Sequence, residues 1–244
     1  MGSPDPITTG LTVAAMLSAA KQVENFIAAV AGHPGESIST ILGNMAHRRL
    51  KNAESVAEKA HFILLDIGAK PKEVPLDVLQ PLLESASLQE DEYLQDAWAK
   101  LLANAATGGV PPSYVAILRE FGRREVVFLQ TLWNGAQVNN PTLVFKPNTV
   151  RNYYSLDRLQ ENFRQAGLSR EPEKDTIRVN QSATNQQDDV SPDGRVLQEI
   201  VDLLRRAGTI AQITAGSPPD SYFVTALGWG FLSACQSPKS KADN

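Results

Sequence analysis

Two short runs hold the side chains best placed to do chemistry. Glu90-Asp91-Glu92 puts three carboxylates in a row ahead of Trp98. His47-Arg48-Arg49-Leu50-Lys51 concentrates positive charge. Carboxylates that converge from separate segments can hold a metal or work as acid and base. Cations grouped on one helix face can meet phosphates on a nucleic-acid backbone or on anionic lipid heads. Each pattern also has a purely structural use, so the elements that would position these residues decide between the two.

Ser87 precedes Glu90 by three residues, the spacing of a capping box in which serine and glutamate each satisfy one free amide of a helix start. Asp91 and Glu92 then fall in the first turn, where the helix dipole favours negative charge. Leu94, Trp98, Leu101 and Ala105 follow at helical steps as a core stripe, and Gly108-Gly109 supplies the stop. The acids are expected to start a helix. The competing reading is a hydrolytic or nuclease site using Glu84, Glu90 or Asp91.

Other chemistry finds little footing. The chain has three histidines, His33, His47 and His61, none beside a second histidine or cysteine at ligand spacing. A zinc site is therefore not expected, and Arg48 and Arg49 would repel a cation. Cys235, between Phe231-Leu232 and the polar end of the chain, reads as a buried thiol. No serine stands in a nucleophile elbow, and the glycines of GHPGES lack the lysine and preceding strand of a phosphate-binding loop. The expectation is no enzyme, no cofactor, no metal and no catalytic residue. Trp98, Trp133 and Trp229 lie inside apolar patterns and read as core.

At 244 residues the chain can bury one large core or two small ones. A net charge of -4 does not suit a protein that holds nucleic acid over a wide surface. Charge is uneven, however. Residues 76–120 carry seven acids against Lys100 and Arg119, whereas residues 121–168 are net basic. That asymmetry points to two modules, or to one module with two faces. A single cysteine excludes an internal disulfide and fits a reducing compartment. The start has no basic region ahead of its apolar run, and that run, residues 6–20, is shorter than the ~20 residues of a membrane span. The protein reads as cytoplasmic.

The expected fold is mainly α: a helical bundle followed by a winged-helix-like module with a small β-hairpin. Residues 1–120 form the helical domain, beginning with the Ala-rich GLTVAAMLSAAKQVENFIAAVAG. A long helix from Ile38, capped by Ser37 or Ser39, runs to Gly68, and Pro75 opens LDVLQPLLESA. Residues 121–237 form the second domain, with a long polar loop at 169–193 that holds one possible strand, TIRV. The piece LVFKP is a further possible strand, and Ser155 can cap LDRLQENFRQAG. From Asp193, GRVLQEIVDLLRRAG reads as an amphipathic helix with Val196, Ile200, Leu203 and Leu204 inward. TIAQIT and SYFVTA make the hairpin, LGWGFLSAC a last helix, and 238–244 a disordered tail.

If the second domain reads DNA, the helix of residues 194–207 is its recognition helix, presenting Arg195, Gln198, Glu199, Asp202, Arg205 and Arg206. Asp202 and Glu199 would oppose phosphates. Possible nucleic-acid or partner contacts are thus Arg48, Arg49 and Lys51 in the first domain and Arg195, Arg205 and Arg206 in the second. The competing account of the first group is a solvated face paired with the acids of residues 84–96.

The stretches ILGNMAHRRLKNAESVAEKA, VPLDVLQPLLESASLQEDEYLQDAWAKLLANAA, PPSYVAILREFGRREVVFL and YFVTALGWGFLSAC together resemble the abortive infection alpha (Abi-alpha) family of bacterial proteins. PLLESASLQEDEYLQDAWAKLLANAA is the most specific of them, and the resemblance is strongest over residues 35–135. Two departures stand out. Pro111-Pro112-Ser113 replaces the family's frequent His-Pro-Ser, and Phe121-Gly122-Arg123-Arg124-Glu125-Val126 replaces its Ser-Pro-x-Glu-Ala helix start. The resemblance implies a part in bacterial defence against phage, with no established catalytic group. The expected protein acts through contacts, as a homo-oligomer with a phage or host protein as trigger. Its Ala-rich first segment is the part that could meet a second subunit or a membrane, and DNA is the alternative partner.

Overall fold

The computed structural model describes residues 21–33, 38–43, 47–130, 153–155, 161, 164, 192–212 and 221–238. Among them the chain is mainly helical: α1 (21–31), α2 (Ile38–Leu42), α3 (His47–Asp66), α4 (Leu76–Ala86), α5 (Glu92–Gly108), α6 (Pro112–Glu120), α7 (123–130), α8 (Pro192–Arg206) and α9 (Ala226–Ala234). Three short strands accompany them: β1 (Tyr153–Ser155), β2 (Ile210–Gln212) and β3 (Ser221–Val224). Expectations for the start of the Ala-rich segment, the 169–193 loop, LVFKP, TIRV and most of the tail fall outside the described residues. The described chain forms two compact units. One lies within residues 1–120 and is joined by the chain from Ser233 onward, and the other spans Phe121–Leu232.

In the first unit α3 and α5 lie side by side. The buried face of α3 is built of small residues at helical steps, Ala53, Val56, Ala57 and Ala60, closed by Leu64. Small side chains let α5 approach closely, and its buried Ala99, Ala103 and Ala106 share the helix side of Gln95 and Asp96, which bond to α3. The two helices run in the same direction, so the chain must return between them, and α4 makes that return. Gly68, at φ 63, ends α3 with the paired bonds of a Schellman turn, Gly68 N–H to Leu65 O at 3.0 Å and Ala69 N–H to Leu64 O at 2.9 Å. The connection is then pinned at two places. Lys72 N–H donates to Ala106 O and Val74 N–H to Val30 O, each at 2.7 Å.

The helix expected from Ile38 to Gly68 divides. It stops at Leu42, where Gly43 adopts φ 67, and resumes at His47. Pro75 opens α4 as expected, with an extended backbone at φ -53 and ψ 139. The end of the chain is tied to α5 by the Asn104 amide. Its Nδ2 donates to Ala234 O at 2.9 Å, Gln236 O at 2.7 Å and Lys100 O at 3.0 Å. Cys235 is buried there, and burial pushes its thiol up to about 12. The group is neutral at physiological pH and is a packing residue.

In the second unit Gly122 N–H donates to the Glu125 carboxylate at 2.9 Å, which anchors the start of α7. Phe128 and Leu129 face inward from that helix. The inward residues of α8 are Leu197, Ile200, Val201 and Leu204, so the buried stripe is rotated from the expected one, and Val196 and Leu203 sit at its margin. The strands form one sheet in the order β1-β3-β2 with both pairings antiparallel. Ser155 ends β1, whose Tyr153 pairs with Phe223, and the start of the helix it is expected to cap lies outside the described residues. Beyond the sheet Thr225 caps α9. Its N–H donates to Thr209 O at 2.9 Å, and its Oγ1 accepts from Gly228 N–H at 3.0 Å. Phe121 and Phe231 meet edge to face at 5.7 Å.

Candidate functional site

The acids of 84–96 and the basic cluster of α3 meet in the folded chain. Asp91 is the N-cap of α5, with extended backbone at φ -74 and ψ 121, and its Oδ1 accepts from Leu94 N–H at 3.1 Å. This corrects the capping-box expectation for Ser87. α4 continues to Ala86, so Ser87 closes that helix, its Oγ donating to Glu84 O at 2.6 Å. Glu90, left outside both helices, turns to Arg48 at 2.6 Å.

The rest of the cluster follows the same seam. Arg49 donates from Nε and Nη2 to Ser87 Oγ at 3.3 and 3.1 Å, and Asn52 donates to Ser87 O at 3.1 Å. Lys59 reaches Asp96 at 2.6 Å and Glu92 at 3.9 Å. Ser55 donates to Gln95 Oε1 at 3.3 Å, while Gln95 Nε2 donates to Gln89 O at 2.9 Å. Most of these groups reach water, so each ion pair contributes roughly 0.2–1 kcal/mol. Their joint effect is register: they hold α3 against the start of α5. Lys51 is exposed on α3.

Asp91→Ala should lower stability by about 1 kcal/mol, because Leu94 N–H loses its acceptor, whereas Asp91→Asn should retain most of the cap. Urea unfolding of the two variants checks this.

The second group of cations lies on α8. Arg205 and Arg206 are exposed in its last turn, where positive charge complements the helix dipole. Arg205 Nη1 approaches Asp202 Oδ1 at 3.7 Å, and Arg206 Nε donates to Asp202 O at 3.4 Å. Gln198 Nε2 also donates to Asp202 Oδ1, at 3.1 Å. Arg195 falls within α8. The two basic groups belong to different units, Arg48, Arg49 and Lys51 to the first and Arg195, Arg205 and Arg206 to the second.

His61 packs its ring 5.4 Å from Phe26, and His47 is exposed at the start of α3. His33 lies at the edge of a hollow of about 250 Å³ whose wall includes Thr40, Ile41, Glu73 and Leu76. No group of three or more metal-ligating side chains occurs among the described residues. No described helix is long and apolar enough to cross a membrane.

Sequence reasoning passed over one surface feature. Phe62 is 54% exposed and Leu65 56% exposed on α3, one turn apart on the side away from the Ala53–Leu64 core stripe. The signal was present in the run Phe62-Ile63-Leu64-Leu65. Four consecutive apolar residues span more than one face of a helix, so some must point outward.

No curated protein and no solved structure matches the chain. The model of the abortive infection alpha family matches residues 45–235, a range that takes in the α3–α5 seam, Phe62, Leu65, α8 and α9. That range covers most of the residues that carry the expected resemblance, those near the C-terminus included, and by it the chain belongs to the abortive infection alpha family.

Proposed function

We propose that the chain is a non-enzymatic phage-defence protein that acts in abortive infection through contacts with a protein partner. Family membership supports the abortive-infection part of this reading. The exposed pair Phe62 and Leu65 carries the contact part. Apolar side chains grouped on a surface that is otherwise polar mark contact sites, because covering them removes apolar area from water. The carboxylates that a hydrolase would recruit have structural partners: Glu84 accepts from Gln80 at 3.0 Å, Glu90 pairs with Arg48, and Asp91 caps α5.

The test uses Phe62→Glu/Leu65→Glu protein, which changes only exposed positions. In bacteria challenged with a phage panel, wild type should lower plaque counts and the double variant, at equal abundance, should not. Undiminished protection by the variant would remove this surface from the function, and deleting residues 1–32 would then ask whether the first segment or a membrane contact carries it.

A second reading, a DNA-binding regulator, is favoured by the second unit. The strand order β1-β3-β2, with α8 leading into β2, supports this reading, because DNA readers of the helix-turn-helix kind lay such a helix in the major groove. Arg205 and Arg206 would contact phosphate. In a gel shift on DNA from its own operon, Arg205→Glu/Arg206→Glu should weaken binding by about tenfold or more. Unchanged binding would remove α8 as the reader.

A further inference from the structure

We propose that the Phe62–Leu65 patch of α3 is the centre of a two-fold interface with a second copy of this chain. The inference rests on the contact reading above and names its partner. In a two-fold interface each residue meets its counterpart set in reverse order, so the patch must complement itself. The end of α3 meets that requirement. Phe62 and Leu65 are one turn apart, so two antiparallel copies crossing between them set Phe62 of each copy against Leu65 of the other.

The charges outside the patch match in the same register. Glu58 lies one turn before Phe62, about 6 Å along the axis. Exposed Lys70 follows Leu65 by five residues, held just past the helix end by the Schellman turn at Gly68. In the antiparallel crossing Glu58 of each copy therefore comes opposite Lys70 of the other. Neither Glu58 nor Lys70 has an ion partner among the described residues. An apolar centre with a rim of complementary charge is the ordinary anatomy of a protein interface. Two large apolar side chains per copy make a small patch, so the expected dimer is weak and in rapid exchange with monomer.

Sedimentation velocity of the full chain over a wide concentration range tests this, with circular dichroism confirming that each variant folds. Wild type should pass from monomer to dimer as concentration rises. Phe62→Glu should shift the midpoint by at least about tenfold, since it sets a carboxylate in the apolar centre. Glu58→Lys and Lys70→Glu should each weaken association, and the two together should restore it. Wild type that remains monomeric at the highest concentration overturns the proposal, as does a dimer indifferent to Phe62→Glu. If such a monomer still needs Phe62 for phage protection, self-association fails while the contact reading stands.

Discussion

Gly228→Ala should cost the second unit about 3 kcal/mol, the upper end of what one added methyl group does in a packed site. Gly228 lies in the first turn of α9, and a Cβ there would fall inside van der Waals contact of Thr209 O. It would also come within 2.9 Å of the Thr209 carbonyl carbon and of Val224 Cγ1. The obstacle is backbone, which cannot swing aside as a flexible side chain would. The same carbonyl accepts from Thr225 N–H at 2.9 Å, so relief of the clash would disturb the cap of α9 and the end of β3. Gly108→Ala is the matched control, because a Cβ there meets nothing within 4 Å. That variant should be neutral or slightly stabilising. Equal midpoints for both variants in urea would mean that the close approach of α9 to Thr209 is absent in solution.

The second large effect belongs to Trp98. It is fully buried on α5, and Trp98→Ala should cost roughly 3–5 kcal/mol. Among the described residues its indole Nε1 is buried without a hydrogen-bond partner. An unpaired buried donor opposes folding by about 1–3 kcal/mol. Trp98→Phe removes that donor along with part of the ring, and the two effects offset. Phenylalanine should therefore fall within about 1 kcal/mol of wild type. A Phe variant as unstable as the Ala variant would show that the indole N–H has a partner in solution.

Much of the first unit was legible because its punctuation is local. Pro75 opens α4 and Gly109, at φ 79, closes α5, each through its own backbone preference. The Ser87–Glu90 box failed because a cap is decided by where the preceding helix ends, and α4 runs to Ala86. Ser87 was already committed to Glu84 O and Arg49. Gly43, at φ 67, leaves the helix within what the apolar pattern reads as one long helix, since periodicity alone does not register a local departure of the backbone.

β1 was hidden for a different reason. Three residues give no alternation to detect, and their partner Ser221–Val224 lies far along the chain. On α8 the amphipathic character was plain, but which residues lead the buried stripe depends on the surface it packs against. Leu197 and Val201 are inward where Val196 and Leu203 were expected. The candidate contact surface was legible only in part. The charges at 47–51 and 84–96 announced themselves, and their pairing across α3 and α5 was one of two open readings. Phe62 and Leu65 were concealed by lying in an apolar run that composition alone assigns to the core.

Abortive infection through contacts can be seen by infecting bacteria that carry the wild-type gene or an empty vector. Plaque number and host survival are scored together at low and high multiplicity of infection. Wild type should give fewer plaques at low multiplicity and death of the infected cells at high multiplicity, both lost with Phe62→Glu/Leu65→Glu. Equal plaque counts with and without the gene across a diverse phage panel would contradict it.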